Sequence, residues 1–250
     1  MKVLFTGETW ATQETHLKGF DSVDLCRVEM DPAKVAFDAI QNSGIEVEHM
    51  AGHLVHYQFP ETAEELKQYD AVIISDVGSN TFLLNPLMMF KGVRKPNRLQ
   101  SIVEYVNQGG GLIMFGGYLS FSGIENKARY AMSPLANALP VTMLNYDDRV
   151  ENPEGVVPRI LIKNHPVLSG LEELEWPWFL GYNKIKAKAE AQEIAVIGQE
   201  DTFMAGLEYG KGRTFAFASD CAPHWGADLT VWSGYQKLLS NIIKWVARKI

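Results

Sequence analysis

The feature that most constrains this chain is a short apolar run between two clusters of glycines, at residues 109–111 and 116–117. Residues 112–115 are apolar on both faces, which is typical of a central strand in a parallel sheet with helices on either side. The second glycine cluster permits a tight turn directly after that strand. Tyr118 then falls where a strand-to-helix elbow would present a nucleophile. The pattern therefore predicts a functional site at the end of a central strand.

Other apolar runs alternate with amphipathic segments along the chain. Strands that alternate with helices indicate an α/β fold with a doubly wound sheet and right-handed crossovers. No linker, repeat or low-complexity segment interrupts this pattern, so residues 1–250 are interpreted as a single domain. The main predicted strands are residues 2–6, 71–75, 112–115 and 213–219, the main helices are residues 97–107, 128–139 and 232–247, and a hairpin is predicted from residues 192–198 and 203–208.

Charge and composition exclude several classes of partner. The net charge is −7 and no basic run is present, which disfavours a nucleic-acid partner because phosphate binding needs clustered Lys and Arg. The apolar stretch at residues 1–7 is too short for a signal peptide or a membrane span, so no membrane partner is expected. Cys26 and Cys221 do not form a disulfide framework, and we interpret them as reduced thiols in a cytoplasmic protein.

Polar and aromatic residues gather in four loops that follow predicted strands, at residues 7–10, 76–80, 117–122 and 220–225. The carboxyl ends of parallel strands meet at one edge of a sheet, and ligands bind there in open α/β sheets. We therefore expect a small-molecule ligand at this edge. The candidate ligand-binding residues are Glu8, Trp10, His16, Asp76, Asn80, Ser120 and Trp225.

The candidate catalytic residues are His224, Asp220 and Tyr118. Asp220 and His224, together with Cys221, offer a carboxylate, an imidazole and a thiol within five residues. A reactive thiolate needs a positive or hydrogen-bonding neighbour, whereas a cysteine at a strand end is more often buried and inert. The alternative readings are that Asp76 serves the turn, that His224 packs on the surface, and that Tyr118 only packs.

The sequence indicates no cofactor and contains no pattern of metal-ligand spacing. A metal ion held among His16, Asp76 and His224 is left open at this stage.

Several segments together resemble a known family, at residues 7–10, 16–21, 75–80, 116–121 and 219–225. They are similar to bacterial cytoplasmic proteins described as the "putative glutamine amidotransferase" family, which is related to class I glutamine amidotransferase domains. The stretch at residues 164–171 also resembles trehalose-utilisation proteins of the same superfamily. This resemblance implies a flavodoxin-like three-layer α/β/α sandwich with a mainly parallel central sheet.

The resemblance also implies what chemistry to expect, and the chain departs from it. Class I amidotransferases use a cysteine at the elbow, where Tyr118 stands here, and a histidine that His224 matches. The glutamate of their His-x-Glu pair is replaced by Gly226. A phenol with an ordinary pKa near 10 is a poor nucleophile at neutral pH, so glutaminase activity is not expected.

Three functions remain open from the sequence. The leading hypothesis is a small-molecule-binding protein without the elbow cysteine, with Glu8, Asp76, Tyr118 and His224 lining one pocket. The second is a hydrolase or isomerase in which His224 is the general base, Asp220 orients it, and Asp76 or Glu8 supplies a proton. The third is a non-catalytic regulatory subunit whose aromatic surface binds another copy or a partner. A homo-oligomer is expected.

Overall fold

A mostly parallel eight-stranded sheet lies at the centre of the fold, in the computed structural model that describes residues 1–29 and 31–250. The strands are β1 (Lys2–Gly7), β2 (Trp10–Lys18), β3 (Asp21–Glu29), β4 (Glu46–Met50), β5 (Ala71–Ser75), β6 (Gly111–Phe115), β7 (Val141–Met143), β8 (Arg149–Val156), β9 (Arg159–Ile160), β10 (Phe179–Asn183), β11 (Ile185–Ala187), β12 (Gln192–Ile197), β13 (Asp201–Tyr209) and β14 (Gly212–Phe217). The order in the sheet is β4-β1-β5-β6-β14-β13-β12-β9, and the first five of these strands are parallel. The α/β fold predicted from the sequence is therefore confirmed.

Two groups of helices pack against the sheet. The helices are α1 (Asp31–Gln41), α2 (Gly52–Gln58), α3 (Ala63–Leu66), α4 (Ser79–Leu83), α5 (Pro86–Lys91), α6 (Arg98–Asn107), α7 (Leu135–Ala138), α8 (Ala227–Val231) and α9 (Tyr235–Val246). Helix α9 packs against α1, β6 and β14, while α6 packs against α3, α4 and α7 and also contacts β6 and β14. No helix of the described residues combines the length and the apolar content that crossing a membrane requires.

The centre of the sheet follows the apolar runs. Every residue of β5 and β6 is buried, because helices pack above and below these strands. The predicted hairpin of β12 and β13 is confirmed, and these strands run antiparallel at one side of the sheet. The predicted helix over residues 128–139 is wrong in length, since only a 3₁₀ turn at Tyr130–Met132 and the four-residue α7 form there.

A long hairpin of β2 and β3 was not predicted from the sequence. It begins at Trp10, three residues after β1 ends, and its two nine-residue strands pair along their whole length. Most of its side chains are exposed on both faces. A strand with no buried face lacks the alternation of apolar and polar residues by which strands are recognised, so the pattern gave no signal.

Candidate functional site

Four parallel strands end side by side at the carboxyl edge of the sheet. Strands β1, β5, β6 and β14 are neighbours, and their last residues lie in register as Gly7, Ser75, Phe115 and Phe217. The loops that follow them therefore start from one line across the sheet. This is the convergence that the apolar runs predict.

Glu8 lies beneath the surface at the end of β1. Its side chain is only 4% exposed, and it accepts a hydrogen bond of 2.5 Å from the hydroxyl of Ser75. Burial, reinforced by the negative charge of Asp76, raises the pKa of Glu8 well above its ordinary value. The surroundings of Glu8 therefore favour its protonated, neutral form.

Asp76 follows β5 and is only partly exposed. Its Oδ1 atom accepts a 2.6 Å hydrogen bond from the backbone N–H of Leu119, and its own N–H donates to the hydroxyl of Ser120 at 3.1 Å. Burial and the negative charge of Asp220 raise the pKa of Asp76 to about 6. This carboxyl can therefore release or take up a proton near neutral pH.

Gly117, at the turn after β6, lies between the carboxyl groups of Asp76 and Asp220. Its φ is +139°, and a Cβ added there would meet Asp220 Oδ1 at 2.8 Å and Asp76 Oδ1 at 2.9 Å. The side chain of Asn183 fixes this peptide, because its Oδ1 accepts from Gly117 N–H at 2.9 Å and its Nδ2 donates to Gly117 C=O at 3.1 Å. Only glycine fits this position without displacing a carboxyl.

The backbone at three of the other site residues is strained. Glu8 has a φ of 51°, Asp76 of 48° and His224 of 122°, all in a region that residues with a side chain rarely adopt. Such conformations cost on the order of 1–3 kcal/mol each and cluster at functional sites. Glu8 and Asp76 directly follow β1 and β5, and His224 lies in the loop after β14. Six further non-glycine residues of the described chain also have a positive φ.

His224 and Asp220 form a hydrogen-bonded pair after β14. His224 Nδ1 lies 2.8 Å from Asp220 Oδ2, and the buried carboxylate also accepts from Trp225 N–H at 3.0 Å. Burial alone would lower the pKa of His224, but the hydrogen bond and charge of Asp220 outweigh it and raise that pKa above its ordinary value. The imidazole is 34% exposed, so one side of the ring faces solvent.

Tyr118 stands between two surface depressions of about 280 Å³ each. Its hydroxyl donates to Glu151 Oε1 at 3.0 Å, and the guanidinium of Arg149 lies 5.2 Å from its ring centre. Partial burial and the hydrogen bond to Glu151 raise the pKa of Tyr118 above its ordinary value. One depression is lined by Thr9, Trp10, Ala11, Asp76, Leu119 and Ile124, and the other by Glu151, Pro153, Leu180, His224 and Trp225.

The remaining candidate residues lie in different surroundings. Trp10 lines the depression of Asp76, and Trp225 is buried with its ring stacked on His224 at 5.2 Å. Ser120 is fully buried and supports the Asp76 loop. Asn80 is exposed on α4, and His16 lies on the exposed β2–β3 hairpin, six residues beyond Trp10. The structure therefore does not bring His16 to the site, because β2 carries it roughly 20 Å along the hairpin.

The thiol of Cys221 is enclosed beside the site. Cys221 is fully buried, and its Sγ lies 3.5 Å from the hydroxyl of Ser75. Burial raises the pKa of the Cys221 thiol well above its ordinary value. A thiol that keeps its proton and has no access to solvent is not an active nucleophile.

The metal site that the sequence left open is not formed by the described residues. Within residues 1–29 and 31–250, no three His, Cys, Asp or Glu side chains are grouped so that they could hold a metal ion. His16 is separated from Asp76 and His224 by the length of the hairpin.

Comparison with known proteins identifies the family of this chain. The sequence model of the family described as "Putative glutamine amidotransferase" matches residues 2–248. The chain belongs to this family. The cytoplasmic protein STM3548 of Salmonella typhimurium is 43% identical, with a TM-score of 0.93, and the match covers 98% of this chain and 99% of that one. The cytoplasmic protein STM1381 of Salmonella typhimurium LT2 is 42% identical, with a TM-score of 0.91 and the same coverage.

More distant similarity concerns the fold alone. A β-galactosidase from Rahnella sp. R3 is 14% identical, with a TM-score of 0.53 over 88% of this chain and 27% of that one. No curated protein sequence matches this chain.

The sequence patterns did not indicate several residues of the candidate site in this amidotransferase-family protein. Arg149 and Glu151 come from β8, which pairs only with β10 outside the main sheet, and Asn183 ends β10. Asp148 is buried and accepts from the backbone N–H groups of residues 122 and 123 and from Asn183. None of these residues follows a strand of the central sheet, so the rule that located the other loops could not find them.

Proposed function

We propose that this protein binds a small polar molecule at the carboxyl edge of its sheet and does not hydrolyse glutamine. The observation that carries the proposal is the convergence of Asp76, Asp220 and His224 around Gly117, on a backbone that is strained at Asp76 and His224. Strained backbone conformations of this kind are common at functional sites. Fold analogy supports the location, since ligands of open α/β sheets bind at this edge.

The strand order and the packing of the helices support a more specific fold class. The parallel strands follow the order of a flavodoxin-like sheet, in which the second, first, third, fourth and fifth strands are neighbours. The group of α1 and α9 and the group around α6 both contact this sheet, which suits a three-layer α/β/α sandwich. We further propose a single domain and, by analogy with the two Salmonella relatives, a cytoplasmic protein.

Loss of glutaminase activity follows from the groups near the turn. Tyr118 takes the place of the elbow cysteine, and the raised pKa of its phenol leaves it protonated at neutral pH. Cys221 is enclosed and is held as a thiol. Gly226 cannot supply a second carboxylate, because a Cβ added there would lie 2.3 Å from the carbonyl oxygen of Asp220.

The walls of the two depressions suggest the chemistry of the ligand. Asp76 and Glu151 offer carboxyl oxygens, while Trp10 and Tyr118 supply aromatic faces. Carboxyl oxygens accept hydrogen bonds from hydroxyl and amino groups, and aromatic faces cover the apolar side of a ring. Sugars and amino acids combine these features. With a net charge of −7, we expect neither nucleic acid nor a membrane surface as a partner.

A second candidate, proton-transfer catalysis, is favoured by the pair of His224 and Asp220. Asp220 holds the Nδ1 side of the ring, which leaves Nε2 to act as a base, as in many hydrolases and isomerases. Asp76, with a pKa of about 6, would supply or receive the second proton.

A thermal-shift screen of sugars, amino acids and nucleotides tests the leading proposal. A ligand that binds only the folded state raises the melting temperature by mass action. We expect at least one compound to stabilise the wild-type protein by several degrees and to stabilise Asp76→Asn much less. The control variant is Glu173→Gln, at an exposed carboxylate away from the site. A screen in which no compound stabilises the protein, or in which every hit stabilises Asp76→Asn equally, would contradict ligand binding at this edge.

A further inference from the structure

The β2–β3 hairpin, residues 10–29, is here named the arm, and it stands away from the rest of the protein. Each of its strands is nine residues long, so the arm extends roughly 30 Å. In β3 all residues but the last are exposed. An isolated two-stranded hairpin is marginally stable in water, since it has no sheet or helix to cover a face. The arm is therefore expected to need a further contact surface that covers one of its faces.

The arm carries apolar side chains into solvent. Its turn is built around Gly19, which has a φ of +64°, and Phe20 at the tip is fully exposed. Leu17 is 75% exposed, and the other exposed apolar residues are Val23, Leu25 and Val28. A bulky aromatic residue at the tip of a projecting hairpin contributes nothing to the folding of its own chain, because it buries no surface there.

A second unpartnered surface lies at residues 84–95, here named the α5 segment. Helix α5 is well defined, since Asn85 caps its first turn and Gly92 ends it with a φ of 64°. Yet the helix buries none of its residues in the described chain. Its exposed apolar residues are Leu84, Leu87, Met88, Met89, Phe90 and Val93. Methionines at such a surface adapt readily to an incoming side chain.

The charges of the two surfaces are complementary. The arm has four acidic and two basic residues, and the α5 segment has three basic residues and no acidic one. Within the described residues, Asp21 and Asp24 at the arm tip make no ion pair, and neither do Lys91 and Arg94 of the α5 segment. Opposite charges beside matching apolar surfaces favour the pairing of one with the other.

Both surfaces emerge from the same edge of the sheet. The arm begins three residues after β1, while α4 and the α5 segment follow β5, the neighbour of β1. In a two-fold symmetric pair of chains, each arm would contact the α5 segment of the other copy. Such an exchange closes into a dimer with two equivalent contacts.

We propose that the arm docks on the α5 segment of a second copy of this chain, so that two chains exchange arms. Phe20 and Leu17 enter the apolar surface of α5, and Asp21 and Asp24 face Lys91 and Arg94. This inference goes beyond the proposed ligand site and does not depend on it. A membrane surface would attract the α5 segment but repel the acidic arm, which favours a second copy over lipid.

Sedimentation velocity of the full chain tests the proposal over a range of protein concentrations. The wild-type protein is expected to form a dimer. Phe20→Ala and the double variant Lys91→Glu/Arg94→Glu should each raise the dimer dissociation constant at least about tenfold, with unchanged melting of the monomer. The matched control is Lys211→Glu/Lys237→Glu, which changes the net charge equally at two other exposed lysines and should leave the dimer intact.

Mixing the two weakened variants distinguishes arm exchange from other modes of dimerisation. In a mixed dimer, one contact joins a wild-type arm to a wild-type α5 segment, and the other contact carries both changes. Two changes in one contact cost less than the sum of their separate costs, so the mixture should associate more tightly than the average of the two variants measured alone.

A wild-type protein that stays monomeric would overturn the proposal, as would a dimer that neither variant weakens or a mixture that gains nothing. Binding of a monomeric wild-type chain to phosphatidylserine vesicles through Lys91 and Arg94 would overturn it in favour of a membrane surface.

Discussion

His224 Nδ1 lies 2.8 Å from Asp220 Oδ2, and the carboxylate that holds the ring comes from four residues earlier in the chain. Gly226, the position of the expected glutamate, has no room for a side chain because of the carbonyl group of Asp220. The turn at residues 220–226 therefore leaves no room for a glutamate at position 226. In its place, Asp220 supplies the carboxylate beside His224. This arrangement requires a strained backbone at His224, whose φ is 122°.

Asp220→Asn is expected to lower the pKa of His224. The variant keeps the burial of the ring, which lowers the pKa, and the weaker charges of Glu151 and Asp76, which raise it, but removes the charge of Asp220 that raises it most. An NMR titration of the histidine ring protons measures this change, with His224→Gln to assign the signal. Glu173→Gln should leave the titration unchanged. An unaltered His224 pKa in Asp220→Asn would show that the pair is not coupled as described.

Gly117→Val is expected to destabilise the protein far more than Tyr118→Ala. The added Cβ would meet the carboxyls of Asp76 and Asp220 within 3 Å, and a β-branched residue is strained at a φ of +139°. The strain alone costs on the order of 1–3 kcal/mol, and each kcal/mol lowers the melting temperature of a chain this size by roughly 2–4 °C. Tyr118 is only half-buried. Equal melting temperatures for Gly117→Val and the wild type would contradict the turn geometry.

Asp76→Asn should change how stability depends on pH. Folded Asp76 keeps its proton up to about pH 6, whereas in the unfolded chain it loses the proton near about pH 3.9. The folded state therefore binds more protons between these values, and the stability this confers is lost as pH rises through the folded pKa. Asp76→Asn removes the titrating carboxyl and with it this pH-dependent loss of stability. Relative to wild type, its free energy of unfolding should rise by on the order of 1–3 kcal/mol between about pH 4 and about pH 8.

Urea denaturation at the two pH values provides the measurement for Asp76→Asn, with Glu173→Gln as the control. A difference from wild type that stays constant across this range would mean that Asp76 titrates as an ordinary exposed carboxylate.

Purified protein should release no ammonia from glutamine, because neither Tyr118 nor Cys221 is available as a nucleophile. A coupled ammonia assay measures the rate, with Tyr118→Phe and Cys221→Ala as the comparison. Turnover that survives Tyr118→Phe but is abolished by Cys221→Ala would show that the buried thiol becomes accessible during the reaction.

The apolar runs located much of the fold and part of the site. Strands β1, β5, β6 and β14 are mostly apolar and buried along nearly their whole length, so the sheet edge that carries Asp76 and His224 could be predicted from the order of strands. The depth of Glu8 could not be predicted, since a sequence does not show that a carboxyl packs under its neighbours. In the structure Glu8 is buried, Asp76 and Tyr118 line one depression, and His224 lines the other.

The sequence did not predict the arm or the residues that β8 contributes to the candidate site, for two different reasons. The arm buries neither face, so its residues show no periodic contrast. The sequence therefore does not show that His16, a candidate ligand-binding residue, lies on an extended strand away from the site. Glu151 reaches Tyr118 and Trp225 from β8, a strand outside the main sheet. Long-range contacts of this kind depend on how a peripheral strand packs, which local sequence patterns do not determine.

Calorimetric titration of the best compound from the thermal-shift screen measures whether a ligand binds at the carboxyl edge of the sheet. We expect the compound to bind the wild type and Glu173→Gln with equal affinity. Asp76→Asn should bind at least about tenfold more weakly, because it loses a charged hydrogen-bond acceptor in a partly buried site. Equal affinity in all three proteins would place the ligand elsewhere and contradict a binding site at the carboxyl edge of the sheet.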